Sequence, residues 1–373
     1  MTSTRLESSV YRSRLRQAAS TAETAGLDGL LVTPGPDLQY LLGSRANSFE
    51  RLTCLVIPAV GEPSVVLPRL EVAGLRPSAA ADLGLAVHDW VDGVDPYGLV
   101  GSLLPSPART AISDAMPALH ALPLADACGA PQVLATPLLR ELRMRKDAAE
   151  LDALRRAGAA IDRVHARMGE WLRPGRTEAE VGVDIAAAIV EEGHLAAEFI
   201  IVGSGPHGAD PHHEVSERVV EIGDVVVVDI GGPVPPGYFS DCTRTYCLGE
   251  PTTEVAAQFA VLQQAQQAGV DAVRPGATAG DVDAACRDTL AAHGLAEAFV
   301  HRTGHGIGLS VHEEPYIVDG NDLVLTEGMA FSIEPGIYFP GRWGARIEDI
   351  VVVTADGCEP VNLRPHELAV LPT

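Results

Sequence analysis

Apolar positions along the first third of the chain switch between helical and strand spacing. From Val10 to Ala25, apolar and charged residues share one amphipathic helix. Leu27 to Thr33 then leads into a strand, and Thr33-Pro34-Gly35-Pro36-Asp37 supplies turn chemistry that starts a short helix ending at Leu42. Thr53–Ile57 and Ser64–Leu67 are short apolar runs around a Gly61-Glu62-Pro63 turn, the pattern of paired strands. Residues 101–137 are rich in Pro and Ala and carry no cluster of reactive side chains. A basic helical stretch, Leu139 to Lys146, leads into an Ala-rich helix predicted from Asp147 to about Leu172. These spacings describe an α/β domain over residues 1–138 and a second domain over residues 139–373.

In the second domain the pattern repeats. Gly223-Asp224-Val225-Val226-Val227-Val228-Asp229-Ile230-Gly231 and Gly328-Met329-Ala330-Phe331-Ser332-Ile333-Glu334-Pro335-Gly336 each run from a glycine through an apolar strand to a carboxylate and a second glycine. The offset from Asp229 to Glu334 is 105 residues. Arg173-Pro174-Gly175-Arg176-Thr177 and Arg274-Pro275-Gly276-Ala277-Thr278 open the two units at an offset of 101, and Thr177 and Thr278 read as helix N-caps. A histidine follows in each half, His212 and His312, and each half ends in a further acid read as lying on a return strand, Asp241 and Glu348. Pro-Gly turns and Val-rich strands match by chance one at a time; this ordered series does not. A carboxylate at the end of a buried strand is costly unless a cation or hydrogen bonds compensate it. Two such strands related by a repeat imply two halves presenting acids to one shared cation site.

Composition narrows the options. With 373 residues the chain is long enough for two domains with full cores, and 46% apolar content with 5% aromatics fits a globular protein. Fifty acidic against 27 basic residues, a net charge of −23, argue against nucleic acid or an anionic membrane as partner. Cys54, Cys128, Cys242, Cys247, Cys286 and Cys358 form no C-x-x-C pair, which disfavours a thiolate zinc site and suits reduced, mostly buried thiols in a cytoplasm. Met1 to Arg16 has charges throughout and does not read as a signal peptide, and no apolar run approaches a membrane span.

The candidate ligands are Asp229, Asp241, His305, Glu334 and Glu348. His305 sits in the run Thr303-Gly304-His305-Gly306-Ile307-Gly308, whose glycines let backbone pack tightly beside a site. Four carboxylates and one imidazole form an oxygen-rich set that favours manganese, cobalt or iron(II), accepts zinc and disfavours thiophilic metals. Four carboxylates would overneutralise one divalent ion, so two ions bridged by carboxylates give the better charge balance. Two metals roughly 3.5 to 4 Å apart can share and activate one water.

These motifs resemble the creatinase/prolidase/methionine aminopeptidase family, the pita-bread metallopeptidases. The five ligand positions occur in the family's order, Asp, Asp, His, Glu, Glu, and the likeness covers nearly the whole chain. It implies a creatinase-type N-terminal α/β domain followed by a pita-bread α+β catalytic domain with a pseudo-two-fold internal repeat. The overall length and the stretch from Gly203 to His213 look most like an actinobacterial Xaa-Pro dipeptidase. The chain departs from the family at Pro206-His207, where many relatives carry an asparagine after the glycine.

The resemblance implies roles. Asp229 would chelate one of two divalent ions, manganese first among them, and His305 the other. Asp241 and Glu348 would bridge both. Glu334 would bind the ion shared with His305 and serve as general base and then acid toward a metal-bridging hydroxide. His212 and His312 would orient substrate and stabilise the tetrahedral intermediate, His301 would lie near the product proline, and Arg346 would stand beside the bridging glutamate. The implied substrate is a small peptide with proline at its second position, and the implied assembly is a homodimer. The alternatives are an aminopeptidase P acting on longer Xaa-Pro peptides and a non-catalytic binding protein on the same fold. A methionine aminopeptidase would not need the N-terminal domain, and creatine-hydrolysing members lack the metal set. His213 reads as a support for the site or as a surface residue, and His165, His194 and His293 as structural or solvated. Trp343 and Arg342 read as pocket-lining or as packed beneath it.

Overall fold

The chain divides into two units, Met1–Arg143 and Met144–Thr373, and the computed structural model describes residues 5–47 and 50–373. In the first unit the apolar runs pair into one sheet. Its strands are β1 (Gly29–Val32), β2 (Cys54–Pro58), β3 (Ser64–Pro68), β4 (Ala86–Trp90), β5 (Thr110–Ile112) and β6 (Val133–Leu134). Their order is β4-β3-β2-β1-β5-β6, with β1, β2 and β3 antiparallel neighbours and the outer strands joined in parallel. β1 to β3 are buried along their whole length, which is why they read as continuous apolar runs. Five helices complete the unit: α1 (Ser8–Thr24), α2 (Pro36–Leu42), α3 (Ala80–Leu83), α4 (Pro96–Ser102) and α5 (Ala118–Cys128). α2 opens on Pro36, where a missing N–H costs nothing, and stops at Gly43 with φ 69°. α6 (Thr136–Met144) spans the division between the units.

The second unit begins with α7 (Ala148–Ala166), opened by Asp147 and Glu150 in a capping box. The helix ends at Ala166 rather than near Leu172, because the chain tightens into a 3₁₀ turn, Met168–Glu170, around Gly169, a poor helix former. Next come α8 (Glu178–Glu191), β7 (Phe199–Ser204), β8 (Val225–Val234) and β9 (Tyr238–Leu248). The second half supplies α9 (Thr253–Ala272), α10 (Ala279–Ala292), β10 (Gly304–Gly306), β11 (Glu313–Ile317) and β12 (Ala330–Ile333). It closes with β13 (Gly336–Phe339), β14 (Trp343–Arg346), β15 (Asp349–Val353), β16 (Cys358–Pro360) and β17 (Ala369–Leu371). The repeat is visible in α8 and α10, both 14 residues long and both opened by the expected threonine in a capping box.

One sheet has the order β17-β9-β8-β7 and the other β11-β10-β12-β15-β16, and Thr243 pairs with Glu348 between them. Strand alternation sorts each sheet into two faces. In the first, Val226, Val228, Ile230 and Cys242 pack with Ile161 of α7 and Ile185 of α8. In the second, Phe331, Ile333 and Val351 pack with Leu262 of α9 and Val282 of α10. The intervening residues, among them Asp229, Asp241 and Ser332, fall on the opposite faces, where the two halves meet.

Two expectations about strands are corrected. Asp229 lies in the middle of β8, whose ladder with β9 continues to Val234 opposite Tyr238. Gly231, read as a strand end, and Gly232 beside it are instead points of close approach: a Cβ there would strike the carbonyls of Ser240 and Ala196. Glu348 stands between β14 and β15 rather than inside a return strand.

Candidate active site

The β8–β9 hairpin sets the first two acids by register. Asp229 pairs with Thr243 and Gly231 with Asp241, so the two carboxylates are diagonal neighbours on one face. In the other half, His305 is carried by β10 between two glycines that admit no side chain. A Cβ on Gly304 would strike the Ser332 carbonyl, and one on Gly306 the Glu314 carbonyl. Ser332 ties the neighbouring pieces together: its Oγ accepts from the His305 N–H at 3.0 Å and donates to Glu334 Oε1 at 3.0 Å. Glu348 is anchored by Thr243, whose Oγ1 donates to Oε2 at 2.7 Å.

The result is one buried cluster. Donor atoms of Asp241, His305 and Glu348 all lie within 4.8 Å of one another. His305 Nε2 is 3.6 Å from Asp241 Oδ2 and 3.3 Å from Glu334 Oε1. Its Nδ1 is 3.1 Å from the Gly306 carbonyl, which fixes the proton on Nδ1 and turns the Nε2 lone pair toward the acids. Asp229 is reached by Arg346, whose Nη2 donates to Oδ2 at 2.6 Å.

Electrostatics show what the cluster lacks. Burial pushes the Asp241 carboxyl well above the usual range, and repulsion from Asp229 and Glu334 adds to it. Glu348 is raised in the same way, by burial and then by Asp241. Burial lifts Glu334 to about 7 against the pull of Arg346. Burial, with a smaller contribution from His312, lowers His305 to about 3. Asp229 Oδ1, Asp241 Oδ1 and Glu348 Oε1 are buried without a hydrogen-bond partner among the described residues. Orphaned carboxylate oxygens converging with an imidazole lone pair are what a divalent cation would satisfy, so these residues fit metal ions.

The cluster lines a cavity of about 570 Å³, a volume ordinary for a small-molecule site. Phe199, Ile201 and Val311 give it apolar walls, and His212, His301 and His312 supply polar groups. The His312 ring stands 4.1 Å from that of His305, nearly perpendicular. His212 also lines the cavity. His301 is held through Tyr338: Nε2 is 2.8 Å from the Tyr338 hydroxyl, and Nδ1 is 2.7 Å from the Arg302 carbonyl. All nine candidate residues therefore line one cavity. Arg342 and Trp343 do not: Arg342 pairs with Glu254 at the surface, and Trp343 packs on Phe339 in the core.

Tyr338, Thr243 and Ser332 are supporting residues that the sequence reading passed over. Thr243 and Ser332 stand two positions from Asp241 and Glu334, so strand alternation pointed to them. Tyr338 reaches the site through the β13–β14 hairpin, where Gly336 pairs with Arg346 and Tyr338 with Gly344. Both glycines leave room for its ring.

The chain is similar to known proteins over nearly its whole length. The model described as metallopeptidase family M24 matches residues 152–355, and the creatinase/prolidase N-terminal domain matches residues 14–145. A probable dipeptidase PepE of Mycobacterium tuberculosis is 66% identical over 373 residues, covering 100% of both chains. An Xaa-Pro dipeptidase of Lactobacillus delbrueckii subsp. lactis is 35% identical over 93% of this chain and 96% of its own. The crystal structure of dipeptidase PepE from Mycobacterium ulcerans is 67% identical, with a TM-score of 0.96 over 99% of this chain and 100% of that one.

Proposed function

The chain belongs to metallopeptidase family M24, and from that premise we propose that it hydrolyses Xaa-Pro dipeptides with the help of two divalent ions, manganese first among them. The observation that carries the reading is the buried set of carboxylates with orphaned oxygens around the His305 lone pair, lining a cavity of about 570 Å³. Asp229, Asp241, His305, Glu334 and Glu348 would hold the ions. Bound there, the ions supply Lewis acidity toward the scissile carbonyl and toward water.

The chain's own residues do the rest. A bond before proline has no N–H, so the site cannot recognise one and must act on the carbonyl side. Glu334, held at Oε1 by Ser332, leaves Oε2 to take a proton from water and return it to the leaving prolyl nitrogen. His312 and His212 donate to developing negative charge on the carbonyl oxygen. His301, neutral because burial lowers it to about 3, orients the proline side of the substrate. Phe199, Ile201 and Val311 exclude water from the apolar ring.

The protein is placed by this reading in the cytoplasm, as a homodimer. Among the described residues no helix is long and apolar enough to cross a membrane, and the six cysteines are unpaired. The test is hydrolysis of Ala-Pro, Ala-Pro-Ala and Ala-Ala by chelated protein with and without manganese. Manganese-dependent cleavage of Ala-Pro alone is expected. Cleavage of the tripeptide would move the assignment to aminopeptidase P, and no cleavage with any divalent ion would sink the enzymatic reading.

A further inference from the structure

α8 begins with a buried carboxylate that the proposed chemistry does not use. The Glu178 side chain is fully buried. Its Oε1 accepts from the Ser204 N–H at 2.8 Å, from Ser204 Oγ at 2.6 Å and from His207 Nδ1 at 3.1 Å. Its Oε2 accepts from His213 Nε2 at 2.7 Å and from Ser216 Oγ at 2.6 Å. The two imidazole rings lie 4.4 Å apart, and their donor nitrogens and the carboxylate oxygen lie within 4.8 Å of one another. Burial works to raise the carboxyl, but hydrogen bonds from Ser204, Ser216 and His213 outweigh it and hold the group down at about 2. Glu178 is therefore a buried anion. Among the described residues, none of its direct partners is a permanent cation. Arg218 donates to Ser204 Oγ and is paired with Asp224.

We propose that Glu178, His207 and His213 form a metal site, separate from the catalytic cluster, that takes one divalent transition ion of the zinc type. Two imidazoles and one carboxylate suit zinc and its neighbours better than magnesium or calcium, and three protein ligands leave a position for water. The spacing is close to what ligation needs. Each imidazole now donates an N–H to the carboxylate. Ligation uses that nitrogen's lone pair, so each ring takes its other tautomer and no proton is lost overall. The two hydrogen bonds from Ser204 keep Oε1 oriented. The His207 side chain is 37% exposed and gives an ion a way in. An ion there would tie α8 to the segment 204–216, which also carries His212, without sharing a ligand with the catalytic cluster.

The proposal does not depend on how the catalytic cluster works. The test uses the full chain with Asp241→Asn and Glu348→Gln, which weaken the competing cluster. This parent is stripped of metal and titrated with Zn²⁺ by calorimetry and with Co²⁺ by visible absorption. One equivalent is expected to bind, and binding is expected to weaken at least about tenfold on adding His207→Asn or His213→Gln. Those amides keep a donor toward Glu178 while removing the imidazole. No binding to the parent, or binding unmoved by both substitutions, would overturn the proposal. If the parent unfolds, bound zinc is compared between the wild-type chain and His207→Asn after removal of excess metal. One equivalent less in the variant supports the site, and equal content overturns it.

Discussion

Arg346 donates from Nη2 to Asp229 Oδ2 at 2.6 Å, so a carboxylate facing the proposed cation site is already held by a fully buried guanidinium. The same side chain donates from Nε to Thr243 Oγ1 at 3.1 Å and from Nη1 to the Tyr338 hydroxyl at 2.8 Å. Lysine keeps the charge but cannot span three partners with one planar fork. Arg346→Lys is therefore expected to lose about 10–100-fold in turnover or metal affinity. Steady-state kinetics alongside metal content per chain checks this, and wild-type values for both would remove Arg346 from the site.

Tyr338 links that guanidinium to His301. The Arg346 N–H fills an acceptor position on the hydroxyl, and the hydroxyl proton goes to His301 Nε2, because Nδ1 already carries the proton given to the Arg302 carbonyl. Tyr338→Phe leaves both groups short of a partner in a buried place. A loss of about 1–3 kcal/mol in stability is expected from such an omission, together with lower turnover. Urea denaturation reads the first. A variant as stable as wild type would mean that the hydroxyl is not what holds His301.

The orphaned oxygens of Asp229, Asp241 and Glu348 make a statement about metal removal. Stripping divalent ions leaves crowded carboxylates in a buried place, so the chelated protein should melt earlier. Restoring manganese at about a hundred times its Kd should stabilise the fold by about 2.7 kcal/mol for each ion bound, through mass action. Asp241→Asn or Glu348→Gln should abolish both this increment and activity. Melting curves that superimpose with chelator and with manganese would show that the cluster does not bind cations.

The internal repeat was legible because it rests on local chemistry. Thr177 and Thr278 announce their helices in sequence, and alternation through Val226, Val228 and Ile230 states which face of β8 is apolar. The five acidic and imidazole positions were legible for the same reason. What could not be read was contact between segments far apart in the chain. Tyr338 meets His301 only because the β13–β14 hairpin folds over, and no spacing encodes that. Gly231 misled for a physical reason: a glycine that ends a strand and one that lets Phe199 press against it look alike in sequence.

His165 carries a pH prediction away from the proposed metal ligands. It is buried on α7, with Nε2 3.0 Å from the Cys242 carbonyl and Nδ1 2.9 Å from the Tyr246 hydroxyl, an arrangement that suits the neutral ring. Burial, aided by Arg244, lowers it from 6.5 to about 3. The unfolded chain therefore binds a proton near pH 6.5 that the folded chain refuses until about pH 3. The sign follows: the contribution to stability is complete above 6.5 and is lost as pH falls from there toward 3. Its slope is at most about 1.4 kcal/mol per pH unit. His165→Gln offers a donor and an acceptor without titrating. Between pH 7 and pH 5 the variant should lose about 2 kcal/mol less stability than wild type, by integration of that linkage. Urea denaturation at the two pH values measures the difference, and an identical acid loss in both proteins would show that His165 is not the group that senses the change.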